Sequence, residues 1–349
     1  MEKADIKSMT LKELQEWLGQ QSEPAFRGKQ LFSWMHEKLV CSFDEMTNLP
    51  KNMRAKLKEN TIWTVHNPLQ VLTSQIDGTK KFLFGLKDGN VIESVYMKYK
   101  HGNSVCISTQ VGCRMGCRFC ASTLDGLVRN LTAGEMLEQI YSIQRITGER
   151  VSHVVLMGSG EPLDNFSNVL RFLNLISCEN GLHISQRNIT ISTCGLVEQM
   201  RQLADEGVQC TLALSLHAPD NETRKELMPV AFRYPLQDVL DACRYYFEQT
   251  GRRITFEYSL VAGVNDNKQE AVKLAHCVRG LNCHINLIPV NPIKERDYKQ
   301  SNKIKIQQFK QTLEEFGQQV TVRREMGRDI QGACGQLRRS FITQQAGGN

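Results

Sequence analysis

The chain reads as an α/β protein, an incomplete TIM-like (β/α)6 barrel with a small N-terminal helical domain and a β-extension. Three observations predict it. Between residues 152 and 324, short apolar runs such as Val154-Val155-Leu156-Met157 alternate with amphipathic stretches. Regular βα alternation makes a parallel sheet, and six or seven units curve it into a barrel. Ahead of that region, apolar residues recur first at helical spacing and then at a spacing of two. The 349 residues are enough for one large domain and a small appendage.

Taken in order, residues 1 to about 60 form a helical module. Leu11, Leu14, Trp17 and Leu18 make one stripe, and Phe26, Leu31, Phe32 and Trp34-Met35 make another. Ser42-Phe-Asp-Glu45 is a capping box, and Leu49-Pro50 breaks the pattern before a further short helix. Residues 61–98 form a β-meander built on Lys81-Phe-Leu-Phe-Gly and Asn90-Val-Ile-Glu-Ser-Val-Tyr-Met, with turns at Asp77-Gly78 and Asp88-Gly89-Asn90. Residues 99–340 form the barrel with its C-terminal loop, and 341–349 a tail. Within the barrel, Thr132-Ala-Gly-Glu135 caps a helix running to about 147. Strands are expected near 152–157, 187–193, 210–216, 253–260, 283–289 and 318–324. Helices are expected near 165–178, 196–206, 235–250, 267–279 and 302–315.

Composition excludes several classes. The start, Met1-Glu-Lys-Ala-Asp, carries charges and no apolar h-region, and no run approaches the length of a membrane span. Twelve cysteines in such a chain point to metal or catalytic use in a reducing compartment, the cytoplasm. A net charge of +6 permits attraction to RNA without requiring it. Basic groups fall at Lys51–Lys58, Lys98–Lys100, Arg252-Arg253, Arg323-Arg324 and Arg338-Arg339. The ordinary fate of such pairs is a solvated surface.

The chemistry centres on Cys113-Arg-Met-Gly-Cys117-Arg-Phe-Cys120. Three thiolates in eight residues suit an iron–sulfur cluster or zinc. The spacing is also that of a helix stripe, but Gly112 and Gly116 would each cost about 1 kcal/mol in a helix interior. A cubane held by three cysteines leaves one iron open to a substrate. In barrels the working residues sit at the C-terminal ends of the strands. Here the strand ends are Gly158-Ser-Gly160-Glu161-Pro162, Ser192-Thr-Cys194-Gly195, Ser215-Leu216-His217 and Asn286 through Asn291-Pro292. All are polar or glycine-rich, which argues for one site on one face. Gly158-Ser-Gly160 lacks the third glycine of a dinucleotide fingerprint.

C-x3-C-x2-C with an aromatic residue before the last cysteine resembles the radical S-adenosylmethionine (SAM) enzymes. The fuller string from Cys106 through Cys120-Ala-Ser-Thr-Leu, with Ala333-Cys334-Gly335-Gln336-Leu337 near the C-terminus, resembles the RlmN/Cfr family of RNA adenosine methyltransferases. The resemblance covers nearly the whole chain. It implies a radical SAM barrel in which Cys113, Cys117 and Cys120 hold a 4Fe-4S cluster. SAM would be bound by Gly160, Glu161, Ser192, Ser215, Leu216 through its backbone, His217 and Asn291. It also gives roles to three residues whose unaided readings are bland. Glu93 alternates as an outward strand residue would, and Cys106 and Cys334 would each be a small buried hydrophobe.

On the implied mechanism two SAM molecules serve each turnover. One methylates Cys334; the other yields a deoxyadenosyl radical that takes hydrogen from that methyl group, and the resulting carbon radical adds to the adenine ring. Glu93 then accepts the ring proton, and Cys106 forms a disulfide with Cys334 that releases the RNA. The strings around Gly160 and Ser192 resemble the housekeeping branch, which acts on carbon 2 of an adenosine in 23S rRNA and of one in tRNA. Cfr-type relatives act on carbon 8. The resemblance further implies an electron donor such as flavodoxin, a monomer, no membrane contact, and an N-terminal module that helps hold RNA or else packs as an appendage.

Overall fold

The computed structural model describes residues 3–291 and 297–330. At the N-terminus a short 3-10 turn, Ile6–Ser8, precedes α1 (Leu11–Gln20), α2 (Phe26–His36) and α3 (Lys51–Asn60). Thr10 and Glu13 form a capping box for α1. Ser42 and Glu45 cap only a 3-10 turn, Phe43–Glu45. The apolar stripes expected for α1 and α2 face inward through Leu14, Leu18, Leu31, Phe32 and Met35, which join one continuous core with the barrel.

The meander follows as β1 (Pro68–Thr73), β2 (Lys80–Gly85) and β3 (Val91–Tyr99), all antiparallel, and β3 pairs antiparallel with β4 (Gly102–Cys106). A hairpin of β5 (Gln110–Gly112) and β6 (Leu127–Asn130) flanks the cysteine loop. The barrel proper then runs α4 (Ala133–Thr147), β7 (His153–Leu156), α5 (Phe166–Ser177), β8 (Ile189–Thr193), α6 (Val197–Asp205) and β9 (Thr211–Ser215). After the short α7 (Asn221–Leu227) come α8 (Leu236–Thr250), β10 (Ile254–Leu260), α9 (Lys268–Cys277), β11 (Cys283–Pro289), α10 (Lys303–Glu315) and β12 (Val320–Val322).

Strands β4, β7, β8, β9, β10, β11 and β12 are parallel and adjacent in that order, with a helix crossing between each pair. This is the (β/α)6 arrangement, ended by a seventh strand. The expected elements from 132 onward lie within about three residues of those observed, as boundary uncertainty leads one to expect. The meander is continuous with the barrel, because β4 belongs to both and one ten-stranded sheet results.

Helix α4 is buried along most of its length because it is packed on two sides, by the sheet and by the N-terminal helices. Gln139 ties it to the sheet, accepting from Ser94 Oγ (2.8 Å) and Ser108 N–H (2.9 Å) and donating to Ser108 O (2.9 Å). On the other side Lys7 and Glu138, both fully buried, pair at 2.5 Å, and Arg145 also pairs with Glu138. Burial pushes the Glu138 carboxyl up, but the two cations outweigh it and hold the carboxyl below the usual range. No helix among the described residues is long and apolar enough to cross a membrane.

Candidate active site

The cysteine loop is a closed turn and not a helix. Gly112 (φ +77°) and Gly116 (φ +72°) take the left-handed conformation. Cys113 N–H donates to Gly126 O (2.9 Å), Cys120 N–H to Cys117 O (3.1 Å), and Thr123 Oγ1 to both Cys117 O (3.1 Å) and Cys120 O (2.9 Å). The loop is also tied across the barrel mouth, since Arg118 N–H donates to Leu227 O at the end of α7 (2.9 Å). The Cys120 charge bears on both Cys113 and Cys117 and raises each. Burial is the larger cause for all three, lifting Cys113 to about 12 and Cys117 well above its ordinary value.

Thiols so placed become ligands only if a strong positive centre displaces their protons. No group of three or more His, Cys, Asp or Glu side chains among the described residues converges on a single metal ion. A cubane asks for something else, since each thiolate binds a different iron. Three neighbouring thiols on a tied loop, Cys113 buried and Cys117 and Cys120 half-buried, fit that donor set.

The other expected positions surround this loop. Gly160 (φ +108°) lets the chain pass so close to β5 that a Cβ would lie 2.6 Å from Gln110 Cβ and 2.8 Å from Gln110 N. Glu161 is buried. Its carboxylate accepts from Cys194 N–H (2.8 Å) and Leu163 N–H (3.1 Å), while burial pushes its carboxyl up against those two bonds. The Thr193 and Cys194 side chains also donate toward it. Ser192 lies level with Ala213, and Ser215 with Glu257, on adjoining strands; both serines are half-buried toward the lumen.

Leu216 N–H donates to Glu257 O (3.0 Å), and its carbonyl accepts from Ala218 N–H (2.8 Å), so one carbonyl lone pair is what its backbone still offers. His217 sits at φ +56°, with Nδ1 accepting from Ser259 N–H (2.9 Å). Its proton is therefore on Nε2. Burial, then Arg224, lowers its pKa to about 3, and it is neutral at physiological pH. Its ring meets Phe119 edge-on at 4.6 Å, joining the strand end to the cysteine loop. Asn291 is exposed and ends the described part of that loop.

Glu93 and Cys106 lie apart from the three thiols, on β3 and β4. Register sets them on one face: Cys106 opposes Val95, two residues beyond Glu93. Glu93 is 3% exposed and pairs with Lys81 at 3.2 Å, so it points inward, unlike the outward residue that alternation alone favours. Cys106 is a free thiol packed with Val95, Met97, Val155, Met157 and Met326. Burial pushes it up, the Arg323 charge opposes this, and Glu93 and Lys81 act on it with opposite signs. Cys334 lies outside the described residues. The chain leading toward it is pinned to the meander: Asp329 accepts from Ser74 Oγ (2.6 Å) and Gln75 N–H (2.8 Å), and Gly327 N–H donates to Asp77 (3.0 Å).

Sequence reasoning missed part of the lumen. Glu257 is buried on β10, accepting from Asn286 Nδ2 (2.8 Å), and Asn286 Oδ1 accepts from Thr321 Oγ1 (3.2 Å). A signal was available, because Thr255, Glu257 and Ser259 alternate with Ile254, Phe256, Tyr258 and Leu260.

A (β/α)6 barrel with three neighbouring thiols on the loop after its first strand defines a radical SAM enzyme. Comparison with known proteins agrees, since the model of the Radical SAM superfamily matches residues 107–275. The model of the ribosomal RNA large subunit methyltransferase N-terminal domain matches residues 4–62. Proteins called probable dual-specificity RNA methyltransferase RlmN from Lachnospira eligens and Clostridium novyi are 60% and 56% identical to this chain. The aligned parts cover 97% of this chain in both cases, and 97% and 98% of the relatives. A radical SAM methyltransferase from Sphaerobacter thermophilus, solved by crystallography, superposes with a TM-score of 0.92 at 42% identity, covering 95% of this chain and 98% of that one. The chain belongs to the RlmN family. Membership in the superfamily implies SAM and a 4Fe-4S cluster.

Proposed function

We propose that this chain methylates carbon 2 of an adenosine in 23S rRNA, and of an adenosine in tRNA, by way of a methyl group carried on Cys334. The observation that supports it most is that Glu93 and Cys106 share one face of adjoining strands, with Met326 packed beside Cys106 and the pinned segment ending four residues before Cys334. A methyltransferase working by polar transfer alone needs neither residue.

Cys113, Cys117 and Cys120 would hold the cluster, and Gly160, Glu161, Ser192, Ser215, Leu216, His217 and Asn291 would hold SAM, two molecules being used per turnover. Together these groups supply the one-electron chemistry that a non-nucleophilic ring carbon requires. The protein's own groups do the remainder. The polar lumen orients bound SAM, with neutral His217 donating from Nε2. Glu93, held beside Lys81, accepts the proton lost from the ring carbon. Cys106 attacks the Cys334 sulfur: the new bond is the disulfide, the bond broken joins that sulfur to the carbon on the RNA, and the electron pair passes to that carbon, which takes up a proton to become the methyl group. The positive fields of Arg323 and Lys81 favour the Cys106 thiolate against its burial. A low-potential donor of the flavodoxin type and a thiol reductant complete the cycle. The helices of residues 4–62 hold folded RNA.

The test is anaerobic turnover with SAM, a reductant and unmethylated 23S rRNA, followed by mass analysis of nucleosides. The expected products are 2-methyladenosine and 5′-deoxyadenosine, and Cys106→Ala is expected to leave RNA joined to the protein. Finding 8-methyladenosine would overturn the regiochemistry. Finding deoxyadenosine without methylated RNA would overturn the substrate.

A further inference from the structure

Arg224 is the largest fully buried side chain among the described residues, at 0% exposure. Nη2 donates to Cys194 O (2.7 Å) and Nη1 to Tyr234 O (3.4 Å), while buried Nε has no acceptor. No ion pair among the described residues includes it. A guanidinium does not lose its proton in a protein, so this is a standing positive charge held away from water without a carboxylate. Such a charge is costly unless an anion joins it.

Two neutral carbonyls do not explain the choice of arginine, because an amide side chain would serve them at lower cost. Its surroundings bring it to the cysteine loop. The ionisable groups that act on it most are the thiols of Cys194 and Cys117, ahead of Cys243 and Cys277. Its helix, α7, is fastened to the cysteine loop at its C-terminal end through Leu227 O and Arg118 N–H (2.9 Å), and the Pro229 ring lies 3.3 Å from where a Cβ on Gly116 would be. A Cβ on Gly195, the residue after Cys194, would meet Val239 Cγ1 at 3.0 Å and Arg224 Nη2 at 3.2 Å, so the strand end passes close against both side chains.

We propose that Arg224 is the built-in counter-charge of the three-cysteine site, a positioning residue that stabilises the anionic cluster and sets its reduction potential. The inference rests on the reading of Cys113, Cys117 and Cys120 as cluster ligands. A cubane carrying three thiolates is an anion, and accepting one electron from a low-potential donor makes it more negative. A fixed buried cation favours the reduced form and raises the midpoint potential. Without the cluster the same cation is uncompensated, so the protein gains more stability from cluster loading than ligand bonds alone would give.

The experiment compares wild type, Arg224→Gln and Arg224→Lys as apo and anaerobically reconstituted protein. The readings are iron and sulfide content, midpoint potential without SAM, and melting temperature. Arg224→Gln is expected to keep its iron, shift the midpoint to more negative potential, and lose part of the rise in melting temperature on loading. Its apo form should melt no lower than wild type. Arg224→Lys should return the midpoint toward wild type. If Arg224→Gln does not fold, Arg224→Met, which fills similar space, takes its place in the same readings. An unchanged midpoint at full iron content would overturn the proposal, as would equal losses of melting temperature in apo and loaded forms. A midpoint that moves only when SAM is present would overturn it too, assigning the charge to the SAM carboxylate. A wild type that takes up no iron would instead sink the reading of the cysteines.

Discussion

Gly112 and Gly126 offer a matched pair of perturbations in the cysteine loop. Both take the left-handed conformation, at φ +77° and +69°. Alanine there costs about 1–2 kcal/mol in backbone strain. At Gly126 nothing lies within 4 Å of the new Cβ, so strain is the whole cost. At Gly112 the Cβ would lie 2.0 Å from Gly126 O and 3.1 Å from Gly126 C, which are backbone atoms with no rotamer to change. That oxygen is the acceptor for Cys113 N–H, and moving it also forfeits a hydrogen bond worth about 1 kcal/mol. With the β5–β6 register disturbed as well, Gly112→Ala enters the range of about 4 kcal/mol or more. A chain of this size has an unfolding entropy of about 0.7 kcal/mol/K. The expected losses of melting temperature are therefore about 1–3 °C for Gly126→Ala and about 6 °C or more for Gly112→Ala. Reconstituted Gly126→Ala should hold its iron, and Gly112→Ala should lose most of it. Equal melting temperatures and equal iron contents for the two variants would refute the reasoning.

Three further outcomes follow from buried or pinned charges. Lys7→Met removes one cation from fully buried Glu138 and should cost about 3 kcal/mol in urea denaturation, Arg145 limiting the loss, while Lys7→Met with Glu138→Leu should recover much of it; a loss near zero for the single variant would contradict the assignment. His36, its pKa lowered to about 3 by burial and then by Lys7, binds its proton more weakly folded than unfolded, so its contribution makes stability fall as pH drops from about 6.5 toward 3, by about 2 kcal/mol at pH 5. His36→Gln should flatten that part of a melting-temperature profile, and an unchanged slope would speak against it. Asp329→Ala releases the segment fastened to Ser74 and Gln75 and should slow methyl loading of Cys334, read by intact mass, at constant iron content.

What the chain discloses before folding depends on whether its information is local. The barrel was legible because each strand and helix carries its own periodicity: α5 was expected at 165–178 and spans Phe166–Ser177. The three cysteines were legible because they recur within eight residues. Strands β5 and β6 were not, being too short for any period to show. Helix α7 offered only its N-cap, Asp220, which accepts from Thr223 N–H (2.9 Å). Arg224 was illegible for a different reason. Charged residues in a helix ordinarily face water, and only the packing of the cysteine loop against α7 reveals one that does not.

The meander shows why the site needs structure outside its barrel. A parallel barrel that stops short leaves its first strand with an unpaired edge, a hazard that proteins cover. Here β3 covers β4, and because it does so antiparallel and in register, the same face that caps the edge carries Glu93 to the wall that holds Cys106. Strand β2 then places Lys81 against Glu93, giving that nearly buried side chain an ion-pair partner at 3.2 Å. The turn between β1 and β2 holds Ser74 and Asp77, to which the segment after β12 is fastened. One extension thus protects the edge, carries buried Glu93 to the face of Cys106 and fixes where the segment after β12 is fastened. The cysteine loop, Glu161 and His217 belong instead to the strand ends of the barrel. Separating the two sets puts Cys106 on β4, against β3, and leaves the three cysteines on the loop after β5.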